Sequence, residues 1–483
     1  MEGFKKMAEK KTIKVISVFL AVVMCLSVLP FSSFADESET GTALTSEGVE
    51  VSYKSFTDDD FLHTEGMSLY TKDGRKVTLR GTNFGGWGLM ESWMTPLNES
   101  EGEDVMLDKL VSRFGVEKTH ELMKTYRSNW ITEVDFANVK ALGMNVIRLP
   151  IWYRNFQSDE NGTWFRDENG NIDFSQLDWV VNMCHKYGIY LIIDLHGAPG
   201  YQNEYDHSGR KHSCTFWDDT DEAKKNQKVV EEFWKVLAAH YKGEPAVAMY
   251  DLLNESLGTD KGVLNKHDEF NAYMNTLYQD VRTVDPDHII TMEAVWTTRH
   301  VCGPDKYGWT NVVYQPHFYD KTNFAFRNNM NICLNSNYNC PLYIGEFFPF
   351  NNATFDYVLS LYNLEDASWT TWSYKGTGGG AKTSDWWIYG SDEIKNVDPD
   401  NDSYEKLMEK IGSCLRTDSG KWAKTPFADH VAKYTDGYYS VSELAAVPGG
   451  TSKATLKMFR ALFIDLFNRI RNFLKNFFTF KKS

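Results

Sequence analysis

From about Leu69 onward, short β-branched or aromatic runs alternate with longer stretches of helical periodicity. That alternation is the mark of βα units wound around a parallel sheet. Eight runs read as strands: Val77–Phe84, Asn145–Pro150, Tyr190–Leu195, Ala246–Leu253, His288–Ala294, Asn311–Phe318, Pro341–Phe347 and Ser368–Tyr374. Between them, Phe174–Lys186 places Leu177, Val180, Val181 and Cys184 at helical spacing, and Asp221–Ala239 and Asp268–Val281 behave likewise. Eight such strands over about 330 residues predict an α/β fold, a (β/α)8 TIM barrel. A doubly wound open sheet is the alternative, but it needs a Gly-rich phosphate loop opening a helix after the first strand. Here Gly81-Thr82-Asn83-Phe84-Gly85-Gly86 leads into Trp87 and Glu91 instead. Ser92 to Trp130 reads as an insertion with helical patterning at Val105–Phe114 and Lys118–Tyr126.

The segments flanking the barrel differ in kind. Lys5, Lys6, Lys10, Lys11 and Lys14 precede an apolar run from Ile16 to Pro30, and Ser33-Phe34-Ala35 reads as a cleavage site before Asp36. Residues 1–35 therefore read as a signal peptide, too short in their apolar part for a spanning helix. Export implies a secreted, extracellular protein. Residues 36–65 are polar and read as a loose lead-in, 66–446 as the barrel and 447–455 as a linker. Residues 456–483 read as a basic amphipathic helix with Phe459, Leu462, Phe463, Leu466, Phe467 and Ile470 on one face. Such a helix suits contact with a membrane or cell envelope, or docking on a partner. The six cysteines after the leader form an even set, which permits disulfides in an exported chain; Cys184 falls on a buried helical face.

The formal net charge is −15. Both ends are basic, so the region between them is more acidic still. That opposes nucleic-acid binding, which needs a positive field, and suits a neutral substrate such as a glycan. No spacing resembles a zinc site, and no metal or organic cofactor is implied.

Residues at the C-terminal ends of barrel strands converge on one mouth. Arg148, His196, Asn254, Glu255, His317, Tyr319, Glu346 and Trp372 all fall at or near such ends. The two glutamates explain the set. Cleaving a glycosidic bond with retention needs one carboxyl group to protonate the leaving oxygen and a second to attack the anomeric carbon, about 5–5.5 Å apart. Glu255 is read as the acid/base and Glu346 as the nucleophile. Arg148 suits a charge partner for Glu346, Tyr319 a donor to it, and Asn254 a ligand for a sugar hydroxyl. His196 and His317 orient the site, and Trp372 offers a flat floor for a sugar ring.

This set resembles glycoside hydrolase family 5, the cellulase-like retaining glycosidases. The resemblance covers residues 66–420 and includes five strings: Val146-Ile147-Arg148-Leu149-Pro150, Asp194-Leu195-His196-Gly197-Ala198-Pro199-Gly200, Leu252-Leu253-Asn254-Glu255-Ser256, Tyr343-Ile344-Gly345-Glu346-Phe347 and Trp372-Ser373-Tyr374-Lys375. Within the family the chain is most similar to exo-β-1,3-glucanases, through Gly81 to Trp93 and His196 to Asn203 with Asp206. By that likeness Glu91 would bind the terminal glucose, and Asn203, Asp206 and His207 would line the substrate site. The chain departs from those enzymes at His207, where they carry Asn, at Thr322, near a clamping Phe, and after Glu346, where Phe347-Phe348 replaces Trp-Ser. These departures leave linkage and exo or endo action open.

The expected function is a secreted retaining β-glycoside hydrolase acting on β-glucans or β-gluco-oligosaccharides. A transglycosylase uses the same intermediate, with a sugar hydroxyl in place of water. A glycan-binding surface protein on a retired scaffold would have lost a carboxylate, and both are present. Tyr153, Trp296, Trp386 and Trp387 are candidates for sugar stacking or for core packing.

Overall fold

The computed structural model describes residues 38–95, 100–349, 352–377, 385–389, 397–438 and 470. The expected signal peptide and linker lie outside the described residues, as does the amphipathic helix apart from Ile470.

The lead-in departs from expectation, because residues 40–65 are built into sheets. β1 (Thr40–Leu44) and β2 (Glu50–Lys54) pair antiparallel, with Thr42 opposite Ser52. β3 (Leu62–Glu65), β4 (Ser68–Thr71) and β5 (Lys76–Val77) form a second antiparallel sheet. Burial along β1 and β2 alternates between exposed and half-buried, so one face packs while the other carries the polar residues that made the segment read as loose. The second sheet sits under the barrel, at the starts of its strands. The Thr64 amide donates to Asn311 Oδ1 at 2.9 Å, and Tyr190 Oη donates to the Asp60 carbonyl at 2.8 Å.

The barrel strands follow: β6 (Arg80–Asn83), β7 (Val146–Trp152), β8 (Tyr190–Gly197), β9 (Val247–Asp251), β10 (Ile289–Ala294), β11 (Val312–Phe318), β12 (Tyr343–Ile344), β13 (Glu346–Phe347) and β14 (Ser368–Thr371). All pair in parallel, in the order β12-β14-β6-β7-β8-β9-β10-β11-β13. β12 and β13 are two halves of one strand parted at Gly345. One half pairs with β14 and the other with β11, so the ring closes as an eight-stranded barrel. A Cβ at Gly345 would lie 2.4 Å from Gln315 Nε2 and 2.9 Å from His317 Nε2, so only glycine admits that close approach. The first strand begins at Arg80, since Val77 belongs to β5.

Strands β7, β8, β9 and β11 are buried along their whole length, which explains their near-continuous apolar runs. Helices cover the outside: α1 (Glu103–Phe114), α2 (Val116–Trp130), α3 (Glu133–Ala141), α4 (Ser175–Tyr187), α5 (Asp221–Tyr241), α6 (Asp260–Asn265), α7 (His267–Val284), α8 (Asn323–Leu334) and α9 (Asn352–Leu364). α4 buries Leu177, Val180, Val181 and Cys184, the stripe read from its spacing. After the barrel, β15 (Lys375–Gly376), β16 (Trp387–Tyr389) and β17 (Trp422–Lys424) make a small side sheet, flanked by α10 (Tyr404–Cys414) and α11 (Pro426–Ala432). The described cysteines are all free thiols, Cys333 and Cys340 included. Among the described residues, no helix is long and apolar enough to cross a membrane.

Candidate active site

The insertion shapes the first wall of the barrel mouth. Tyr126 and Trp130 of α2 donate to the carbonyls of Gly86 and Gly85 at 2.8 and 2.9 Å. Glu103 of α1 accepts from the Met90 amide at 2.6 Å. Gly88 is pressed against β7, where a Cβ would lie 2.4 Å from the Pro150 carbonyl oxygen. These contacts hold the loop that presents Glu91. Its Oε2 accepts from Trp93 Nε1 at 2.8 Å, and burial pushes its carboxyl up to about 7.

Arg148 lies in the middle of β7, deeper than the strand end where the sequence placed it, and is fully buried. Its guanidinium is saturated. Nη1 donates to Glu346 Oε1 at 2.7 Å and to Asn83 Oδ1 at 3.1 Å, Nε to Asp251 Oδ2 at 2.9 Å, and Nη2 to Asn254 Oδ1 at 2.8 Å. Asp194 Oδ2 lies 3.1 Å from Nη2. Burial works against the guanidinium charge, but Asp194, Asp251 and Glu346 outweigh it and fix Arg148 as a cation. Burial pushes the Asp194 and Glu293 carboxyls well above their usual range, against the pull of Arg148.

Glu346 opens β13 just after Gly345. Its second oxygen, Oε2, accepts from Tyr319 Oη at 2.6 Å. Glu255 follows β9 in a left-handed backbone conformation, φ +42°, and its amide donates to Glu293 Oε1 at 2.6 Å. His317 Nδ1 lies 2.7 Å from Glu255 Oε1, and His207 Nε2 lies 3.2 Å from Oε2. A carboxylate oxygen of Glu255 and one of Glu346 lie within 4.8 Å of each other, with His317 between them. Burial pushes Glu255 up, yet bonding and charge from His207 and His317 prevail and hold the carboxyl well below its usual range. For His207, burial is outweighed by Glu255, Glu91 and Glu346, and the imidazole is pushed up to about 9.

His196 lies inside β8, near its end. Its Nδ1 donates to Asp194 Oδ2 at 2.7 Å, which leaves Nε2 to accept from Asn254 Nδ2 at 3.4 Å. Burial pulls it down to about 3, so the ring is neutral. Its plane stacks within 3° of Trp372, at 5.4 Å between centroids. Trp372 stands just past the end of β14, joined to Ser373 by a cis peptide.

These groups surround a cavity of about 630 Å³. Of the residues singled out from the sequence, Glu91, His196, His207, Asn254, Glu255, Tyr319, Glu346 and Trp372 line it, as does the stacking candidate Trp296. Arg148 and His317 sit beneath it and touch Glu346 and Glu255. Asn203 and Asp206 stand behind the wall and not on it. Asn203 Nδ2 donates to the Glu255 carbonyl at 3.1 Å, and Asp206 Oδ2 accepts from the Ser92 amide at 2.9 Å. Tyr153, Trp386 and Trp387 are core residues. Sequence reasoning missed Tyr205 and Phe348 as lining residues, and the buried carboxylates Asp194, Asp251 and Glu293. Glu91, Asp206 and His207 bring possible metal-ligand atoms within 4.8 Å of one another. Each already serves a protein partner: Trp93, Ser92 and Glu255 respectively.

A closed parallel barrel with two glutamates facing across its C-terminal mouth is the architecture of a barrel glycosidase. Residues 102–378 match the model of the cellulase family, glycosyl hydrolase family 5, and the chain belongs to that family. It is 33% identical over 267 residues to a protein named beta-xylosidase from Phanerodontia chrysosporium, covering 55% of this chain and 53% of that one. It is 34% identical over 269 residues to a glucan 1,3-beta-glucosidase from Candida oleophila, covering 51% and 59%. The chain thus spans about half the length of the curated relatives it matches. A crystal structure of an endogalactoceramidase is 16% identical, with a TM-score of 0.49 over 73% of this chain and 84% of that one.

Proposed function

We propose that the protein is an exported retaining β-glycosidase that hydrolyses β-glucans or β-gluco-oligosaccharides by double displacement. The observation that carries this reading is that a carboxylate oxygen of Glu255 and one of Glu346 come within 4.8 Å of each other across the mouth, a close spacing that favours retention over inversion. Glu346 attacks the anomeric carbon as the glycosidic C–O bond breaks, and Glu255 gives its proton to the departing oxygen. Water then cleaves the glycosyl ester, returning a proton to Glu255. Arg148 and Tyr319 hold one oxygen each of Glu346 and aim it. Asn254 has its carbonyl oxygen taken by Arg148 and gives one amide hydrogen to His196, so its second amide hydrogen can serve a sugar hydroxyl. The relatives' names support a gluco- or xylo-configured substrate, and Glu91 on the cavity wall supports recognition of a terminal sugar and exo attack. The apolar run Ile16–Pro30 supports export, and the basic amphipathic segment Leu456–Phe480 supports contact with the cell envelope.

The test is Glu346→Ala on an aryl β-glycoside. Turnover should vanish and return with azide as the inverted α-glycosyl azide. Undiminished turnover would remove Glu346 from its role. Glu255→Ala should slow substrates with poor leaving groups far more than activated aryl glycosides, and equal losses would remove Glu255 as the acid.

A further inference from the structure

The proposed acid must carry a proton into the reaction, yet Glu255 is held ionised by the two histidines that grip its oxygens. His317 occupies Oε1 at 2.7 Å. Oε2, the oxygen left to protonate a leaving group, faces His207 Nε2 at 3.2 Å. That nitrogen sits between opposed environments. Glu255 favours a proton on it, whereas Asn203 Nδ2, 3.1 Å away, can only donate and so favours the bare nitrogen. The Asn203 amide is fixed in this sense because its Oδ1 accepts from the Tyr205 amide at 3.0 Å and its Nδ2 donates to the Glu255 carbonyl at 3.1 Å.

We propose that His207 and Glu255 share one catalytic proton, with His207 Nε2 as its resting place and Glu255 Oε2 as its point of delivery. This rests on Glu255 being the acid/base. In glycosylation the proton passes from Nε2 to Oε2 and on to the leaving oxygen, and the pair is left as neutral imidazole and carboxylate. In deglycosylation Oε2 takes a proton from the attacking water and returns it to Nε2, so the cycle balances. Other groups facing His207 are Glu91 from the β6 loop, His196 from β8 at 6.0 Å between ring centroids, and Glu346 from β13. On its own loop it meets Asp206, itself 4.0 Å from Lys211, and the stacked ring of Tyr205 at 5.3 Å. The carboxylates outnumber the cations around the ring, which agrees with the upward push on His207. Because the two groups titrate as a pair, the last proton leaves near the histidine's value and not near that of a glutamate.

The experiment is the pH profile of kcat/KM for the wild type and His207→Asn. Two β-glycosides of the sugar turned over fastest are compared, one with an alkyl and one with a 2,4-dinitrophenyl leaving group. On the alkyl glycoside the basic limb should move to lower pH by about 2 units or more in the variant, because the proton then rests on a carboxyl group and no longer on an imidazole. On the dinitrophenyl glycoside, which needs no proton, it should stay in place. A basic limb that does not move on the alkyl glycoside overturns the proposal while leaving Glu255 as the acid. Failure of Glu255→Ala to discriminate between the two leaving groups would instead overturn the parent reading. In the wild type, the imidazole nitrogen shifts of His207 by NMR should titrate together with that limb. Titration near an ordinary histidine value of about 6.5 would also overturn the proposal.

Discussion

Tyr319 donates its phenolic proton to Glu346 Oε2 at 2.6 Å, on the opposite side of the carboxylate from Arg148. A hydrogen bond to a charged group contributes about 1.5–3 kcal/mol. Tyr319→Phe should therefore lower kcat/KM on an aryl glycoside roughly 10- to 150-fold. A change of less than about twofold would mean that the bond does not aim Glu346.

Arg148 is the main cation of a floor that contains Asp194 and Asp251, with Glu293 Oε2 3.8 Å from its guanidinium. Arg148→Met should cost about 3–5 kcal/mol of folding stability, because it strands buried carboxylates without a partner. Denaturant unfolding reads this directly. A loss below about 1 kcal/mol would show that the floor is already neutral enough to stand without the guanidinium.

Glu103 is buried under the Glu91 loop, and burial lifts its carboxyl from 4.5 to about 8. The folded state therefore binds more protons than the unfolded state between those values, and stability from this group falls as pH rises through them. Glu103→Gln keeps an acceptor for the Met90 amide and removes the titration. The variant's unfolding temperature, relative to wild type, should climb steadily from pH 4.5 to about 8. A difference that is flat with pH would refute the upward shift.

The barrel was legible because its buried strands leave apolar runs that no loop would carry, and because Glu255 and Glu346 fall at their ends. Asp194, Asp251 and Glu293 went unremarked although they left a signal. A carboxylate inside a strand buried on both faces needs a partner, and Arg148 in β7 is the matching charge. Asp194 lies two residues before His196, so the pleat puts both on one face. Residues 40–65 misled because a half-buried hairpin shows the solvent its polar side, which outweighs Val51, Tyr53 and Leu62 in the composition. Asn203 and Asp206 were placed on the substrate by their company in the motif, and only the tertiary fold turns their side chains to Glu255 and Ser92. His207 showed only as a departure from Asn, and its contact with Glu255 emerges once the loop after β8 folds beside β9.

The central claim is that Glu346 forms a covalent bond to the sugar. A 2-deoxy-2-fluoro-β-glycoside with a good leaving group should inactivate the enzyme, because the fluorine slows both steps while the leaving group spares the first. Peptide mass mapping should then find one fluoroglycosyl ester, on the peptide carrying Glu346, and on that residue when the peptide is sequenced. A label on any other residue, or a substrate analogue turned over with inversion and no adduct, would contradict the account.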